Sequence, residues 1–310
     1  MNGLTVQFWG TRGSIPTPGR HTEKYGGNTT CVELRHGDTL VVLDAGSGIR
    51  QLGAAWMQET AGKPIRAHLL FTHLHWDHIQ GFPFFAPAYR QGNSFTVYGE
   101  QRPDGGIREL LGGQMRGSYF PVPLAAMQAE LSFHDTAPEF AVEGITVRTA
   151  RLPHPGGCLG YRLEVAGSVF VFATDSELDG VALNKDAVQA DHAAPREYEP
   201  ALVEFFRGAN LLVIDCQYTD EEYAGRRGWG HNSIATVVDL CRQARPDAVA
   251  LFHHDPESND DKVLAMADET ARRLESAGVT GALVFAARER LAMKVEKPTR
   301  PLALPAAAPR

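Results

Sequence analysis

The chemistry in this chain gathers first at Thr72-His73-Leu74-His75-Trp76-Asp77-His78, four groups able to bind a metal ion, placed directly after the apolar run Ala67 to Phe71. The spacing His-x-His-x-Asp-His is a metal-site signature, and chance assembles it rarely. Three imidazoles and a carboxylate crowded together would repel on protonation and would be costly to bury without a cation. A metal ion is the economical explanation. Further along, Asp44, His154, Asp175, Asp215 and His253 each stand where an apolar or alternating run gives way to turn residues, and His231 stands just before a helix-like run.

The elements that must position these groups are strands. Leu4 to Trp9 leads into a turn-rich loop, Gly10 to Gly19, in which Arg12 is a candidate substrate contact. Thr30 to Leu34 and Thr39 to Leu43 form a hairpin that ends at Asp44, before a helix over Ile49 to Glu59. Ile65 to Phe71 is a buried strand, so His73 and His75, two apart, project to one side beyond it. Ser94 to Tyr98 is another strand. Glu100 to Leu131 is less regular, and packs on the core or walls a pocket.

In the second half, Ile145 to Leu152 ends at Pro153-His154-Pro155, and a hairpin over Ala166-Gly167 ends at Asp175. Leu178 to Arg196 reads as polar and irregular, and Pro200 to Arg207 as helical. Ala209 to Ile214 is a strand closing on Asp215. Helices over Ile234 to Ala244 and Asp260 to Ala277 flank the strand Asp247 to Phe252, which meets His253-His254. A last strand lies near Ala282 to Phe285. His21, His36, His68, His134 and His192 have no partner pattern and read as structural or surface residues. Each chemical group therefore sits at a strand's carboxyl end, where α/β sheets gather their sites.

Composition bounds the rest. With 43% apolar and 22% charged residues over 310 positions, the chain has ample material for a buried sheet. A net charge of -7 without a Lys/Arg block disfavours a standing nucleic-acid partner. No segment reads as a signal peptide or a bilayer span, and Cys31, Cys158, Cys216 and Cys241 are widely spaced, which suits reduced thiols. A cytoplasmic protein without membrane attachment is expected.

Taken in order, Asp44, His73-x-His75-x-Asp77-His78, His154, Asp175 and His253 resemble the metallo-β-lactamase superfamily. Gly10-Thr11-Arg12-Gly13-Ser14-Ile15-Pro16, Tyr25-Gly26-Gly27-Asn28-Thr29-Thr30 and Gly230-His231-Asn232-Ser233 look like its phosphodiesterase branch, which includes ribonuclease Z and cyclic-phosphate phosphodiesterases. The resemblance covers about residues 4 to 294. It implies an α/β fold, a four-layer αβ/βα sandwich with two mixed β-sheets, built as one domain over 1–297 from halves near 1–139 and 140–297, with 298–310 a disordered tail.

The same resemblance implies a ligand set. His73, His75 and His154 would hold one divalent metal, Asp77, His78 and His253 a second, and Asp175 both, with His253 chosen over His254. Zn suits imidazole and carboxylate without thiolate, and Mn or Fe also fit. A hydroxide shared by the metals would be the nucleophile. His231 would act near the leaving oxygen, Asp215 would orient His231, and Asp44 would align a ligand or a loop. Ribonuclease Z carries a long arm between the equivalents of His154 and Asp175, and here those two bracket a twenty-residue hairpin. The expectation is a small, cyclic nucleotide-like phosphodiester substrate, and relatives make a homodimer reasonable. The alternatives are a hydrolase of lactone, thioester or lactam bonds, which an acyl-substrate panel would separate, and a metal or ligand sensor without turnover.

Overall fold

The structure, a computed structural model, describes residues 3–296; the tail expected over 298–310 lies outside them. In chain order the strands are β1 (Leu4–Gly10), β2 (Cys31–His36), β3 (Thr39–Leu43), β4 (Arg66–Leu70), β5 (Ser94–Gly99), β6 (Glu130–Asp135), β7 (Glu139–Val142), β8 (Ile145–Leu152), β9 (Cys158–Val165), β10 (Ser168–Ala173), β11 (Leu211–Asp215), β12 (Ala248–Phe252), β13 (Leu283–Ala286) and β14 (Ala292–Val295). The helices are α1 (Ile49–Glu59), α2 (Trp76–Ile79), α3 (Ile107–Gly113), α4 (Lys185–Ala190), α5 (Pro200–Phe206), α6 (Asp220–Tyr223), α7 (Ile234–Ala244) and α8 (Asp260–Ser276).

The strands form two seven-stranded sheets, ordered β14-β1-β2-β3-β4-β5-β6 and β13-β12-β11-β10-β9-β8-β7. Both are mixed. From β3 to β6 and from β10 to β13 the neighbours run parallel, and the rest are antiparallel. The last strand, β14, crosses back to pair with β1, Leu4 opposite Val295. Sheet membership and chain halves thus part company at the C-terminal end.

Sequence explains the layering. β11 and β12 are buried at every position, as continuous apolar strands covered on both faces must be. One core lies between the sheets, where Val6, Phe8 and Val41 of the first meet Phe170, Val213 and Phe252 of the second. A second fills the space between the first sheet and α1, around Trp56, Leu52 and Phe95. The third packs α5, α7 and α8 on the other sheet through Phe206, Val237 and Val263. This is the expected four-layer sandwich. Helix starts follow local rules: Ser233 caps α7 by accepting from the Thr236 amide, and Asn259 caps α8 by accepting from that of Lys262.

Segment 100–131 is anchored on the core by a few residues and walls a surface cavity between Arg108 and Leu124. Ile107, Leu111, Met115, Met127 and Ala129 join the core of the first sheet. Among the described residues no helix is long and apolar enough to cross a membrane.

Candidate metal centre

Because the central strands of each sheet run parallel, their carboxyl ends share one rim, and the loops after β3, β4, β8, β10, β11 and β12 meet there. Three rim residues adopt a left-handed backbone: Asp44 (φ 61°), Asp175 (φ 50°) and His253 (φ 57°). Non-glycine residues hold that conformation at a cost of about 1–3 kcal/mol each, and such strain gathers at functional sites. Here the sharp turn aims each side chain into the cleft.

Two groups of donors converge, His73, His75 and His154 in one and Asp77, His78, Asp175 and His253 in the other. Asp175 stands between them. Its Oδ1 lies 3.2 Å from Nε2 of both His78 and His253, while its Oδ2 lies 3.6 Å from His73 Nε2 and 3.7 Å from His154 Nε2. Asp77 Oδ2 is 3.0 Å from His253 Nε2, and His154 Nε2 is 3.1 Å from His75 Nδ1. Donors about 2.0–2.2 Å from one tetrahedral ion stand roughly 3.3 Å apart, the spacing seen here. Nε2 of His73 and of His78 is buried with no hydrogen-bond partner, which a metal ion would supply. The set fits divalent metal ions. His75 is exposed, which leaves the first group open to solvent.

The electrostatics point the same way. Among the described residues every ion-pair partner of Asp44, Asp77, Asp175 and Asp215 is a histidine. Burial alone would lift the Asp77 and Asp175 carboxyls, yet His78 and His253 outweigh it and hold both well below the usual range. Burial would lower His78, but Asp175, Asp77 and Asp44 drive it well above its ordinary value. Three carboxylates therefore favour positive charge at this point. His73, His75 and His154 are lowered, by burial first.

A second set of contacts fixes the rings. Asp44 Oδ2 holds His78 Nδ1 at 2.8 Å and accepts from the Thr72 hydroxyl at 2.8 Å, while Oδ1 accepts from the Thr72 amide at 2.8 Å. His154 Nδ1 donates to Gly230 O at 3.0 Å, which leaves Nε2 free to bind a cation. His231 Nδ1 meets Asp215 Oδ2 at 2.6 Å, and its ring stacks on His253 with centroids 4.9 Å apart. Among the described residues no hydrogen bond engages its Nε2. Burial lowers the His231 pKa, but Asp215 prevails and raises it to about 9.

Of the two adjacent histidines, His253 enters the cluster and His254 turns away to donate from Nε2 to Ala287 O at 2.8 Å. Arg12 does not reach the cleft. It is fully buried, donating to the carbonyls of Gly26, Asp255 and Ser258, and ties the first loop to the His253 loop. A substrate contact was expected there; the structure gives a clasp.

Other contributors were hidden in the sequence. The Ser14 amide donates to Asp77 Oδ2 at 2.7 Å from a left-handed backbone (φ 61°). A Cβ on Gly13 would meet His253 Nδ1 at 2.3 Å, so that glycine makes room for the ring. Glu177 accepts from the amides of Gly228 and Gly230 and so braces the loop that carries His231. The signals were present as Gly13-Ser14 in a turn and a carboxylate two residues after Asp175, but neither marks a partner by spacing.

A family model described as "Beta-lactamase superfamily domain" matches residues 39–254, and the chain belongs to that superfamily. Ribonuclease Z of Thermoplasma acidophilum is 22% identical over 297 residues, 85% of this chain and 90% of that protein. Ribonuclease BN of an Enterobacter species is 29% identical over 81% of this chain and 88% of its own length. Among solved structures, unliganded yeast PDE1 superposes with a TM-score of 0.67 at 14% identity, covering 95% of this chain and all of that one. The metallo-beta-lactamase fold protein YhfI of Bacillus subtilis gives 0.64 at 15% identity over the same shares. These likenesses establish the metallo-β-lactamase fold.

Proposed function

We propose that this hydrolase of the superfamily is a phosphodiesterase that holds two divalent cations, Zn or else Mn or Fe, and cleaves a small, cyclic nucleotide-like phosphodiester. The observation that carries this reading is His231, which Asp215 clamps against both donor groups with one ring nitrogen left for substrate. The cations, when bound, acidify a water and neutralise the charge that builds on a phosphoryl group.

The chain's own residues do the rest. His73, His75 and His154 would hold one cation and Asp77, His78 and His253 the second, with Asp175 within reach of both. Asp44 fixes His78 so that its Nε2 faces the cluster, and the Gly230 carbonyl does the same for His154. His231, held by Asp215 through Nδ1, donates from Nε2 to the leaving oxygen as general acid. Asp215 keeps that proton available by stabilising the imidazolium.

The names of the curated relatives favour a second reading, cleavage of RNA. Against it stand the direct hairpin of β9 and β10 between His154 and Asp175 and a net charge of -7. Metal-analysed protein should hydrolyse bis(p-nitrophenyl) phosphate and cyclic nucleotides faster than it cleaves RNA. His231→Ala should lower kcat by roughly 10²–10⁴ with metal content unchanged. Failure of the metal-loaded protein to turn over any diester in the panel overturns the reading.

A further inference from the structure

Eight large apolar side chains stand exposed among the described residues, and three of them lie within two residues of groups at the site: Ile15 (59% exposed), Trp76 (66%) and Trp229 (60%). Ile15 follows Ser14, whose amide holds Asp77. Trp76 lies between His75 and Asp77, and Trp229 precedes His231 by two residues. They are single residues set among histidine, aspartate and arginine rather than one continuous apolar face. Singly exposed apolar residues need no partner in themselves, so what singles out Trp229 is the way it is held.

Trp229 is held unusually firmly for an exposed side chain. The amides on either side of it, Gly228 and Gly230, donate to the two oxygens of Glu177 at 2.7 and 2.8 Å. Its own amide donates to Arg226 O at 3.2 Å, and Glu177 also accepts from the Tyr223 hydroxyl at 2.7 Å. The Arg226 guanidinium lies 4.9 Å from the Tyr218 ring and 6.0 Å from the indole, continuing one stack outward. The backbone beneath the indole is already ordered, so a ligand that stacks on it bears little of that cost. Two residues of chain span at most about 7 Å. A nucleotide bridges that distance between its phosphate and its base.

We propose that Trp229 is a stacking platform for the planar base of the substrate, so that this site selects nucleotide diesters over diesters without a base. The proposal rests on the phosphodiesterase reading for the identity of the reacting group. Stacking on an indole tolerates any base, because every base has a π-face, so the selectivity is for a base as such and not for one base.

The test compares a cyclic nucleotide with the base-free cyclic phosphate of ribose. Trp229→Ala should raise KM for the nucleotide roughly tenfold with kcat little changed, so that the preference for the nucleotide falls by a similar factor. Trp229→Phe should recover most of it. Equal losses on both substrates, or no change in the ratio, overturn the platform. A second arm needs no turnover: AMP added to the metal-loaded protein should quench tryptophan fluorescence, and Trp229→Ala should remove that quenching. Absence of quenching overturns the platform, whereas quenching without turnover of any diester sinks the phosphodiesterase reading and leaves the platform standing. A fall in molecular mass on Trp229→Ala would make the rim an interface between copies of the chain, and that also overturns the proposal.

Discussion

Two clusters of buried and half-buried histidine and aspartate in this molecule find their partners differently. In the cleft, the only charged partners of Asp77 and Asp175 among the described residues are imidazoles, beside the Ser14 amide on Asp77 and the Thr174 hydroxyl on Asp175, and Nε2 of His73 and of His78 has no hydrogen-bond partner. Farther along, Asp179 receives a bidentate pair from Arg196 at 2.6 and 2.9 Å and a hydroxyl from Thr236 at 2.6 Å. Asp220 is paired with Arg273, and His192 lies 3.5 Å from both Asp179 and Asp220. The second cluster carries its own cations and is complete. The first pairs its carboxylates with imidazoles and with no Lys or Arg among the described residues, and it carries left-handed backbone at Asp175 and His253. Buried charge without a permanent partner marks the functional cluster; buried charge with guanidinium partners marks the structural one.

The comparison is broken most severely at Asp175. Even groups behind metal ligands carry roughly 10–100-fold in metal affinity, and Asp175 serves both donor groups directly. Asp175→Ala should therefore lose bound metal and activity beyond that range, read by metal analysis and initial rates. A variant that keeps its full metal content would remove the carboxylate from the centre.

The structural cluster should respond in the opposite sense. Arg196→Met leaves Asp179 buried without its main partner, and breaking such a pair costs about 3–5 kcal/mol. Urea unfolding should show that loss, while the folded fraction keeps its metal. A stability change near zero would mean that Asp179 is solvated by other routes.

The smallest effect is on pH dependence. Burial lowers His192, but Asp179 and Asp220 raise it above its ordinary value; its contribution is complete below about 6.5 and is lost as pH rises through the raised value. Burial would raise Asp179 and Asp220, but His192 and the arginines depress both; their contribution is complete above about 3.9 and is lost as pH falls through the depressed values. Stability should be greatest between these limits. His192→Gln should flatten the alkaline limb of the urea midpoint and leave the acid limb, and an unchanged alkaline limb would exclude His192 as its source.

Much of this was legible in the chain because it is local. The alternation of Ile145 to Leu152, the turn after Ala173 and the crowding of His73 to His78 depend on neighbours only, and they placed the strands and the donors at strand ends. The two-sheet sandwich was implied by the family that those motifs, taken in order, resemble. Leu178 to Arg196 looked irregular because its organising contacts, Arg196 back to Asp179 at the segment's other end and out to Asp239 on α7, join residues far apart in the chain. β14 was unreadable for a similar reason: four residues with two buried positions become a strand only when β1 offers an edge.

What the sequence by itself offered is the candidate donors of the centre, by residue type, by position at strand ends and by the resemblance those motifs carry. Tertiary structure alone decided direction. His253 and His254 are the same residue one position apart, and a left-handed turn at His253 sends it to Asp77 and Asp175 while His254 turns to Ala287. Arg12 likewise carries a cation's chemistry in the sequence and becomes a buried clasp because three carbonyls from distant loops surround it. Backbone angle and non-local packing set where a side chain points, and neither is encoded in the identity of the residue.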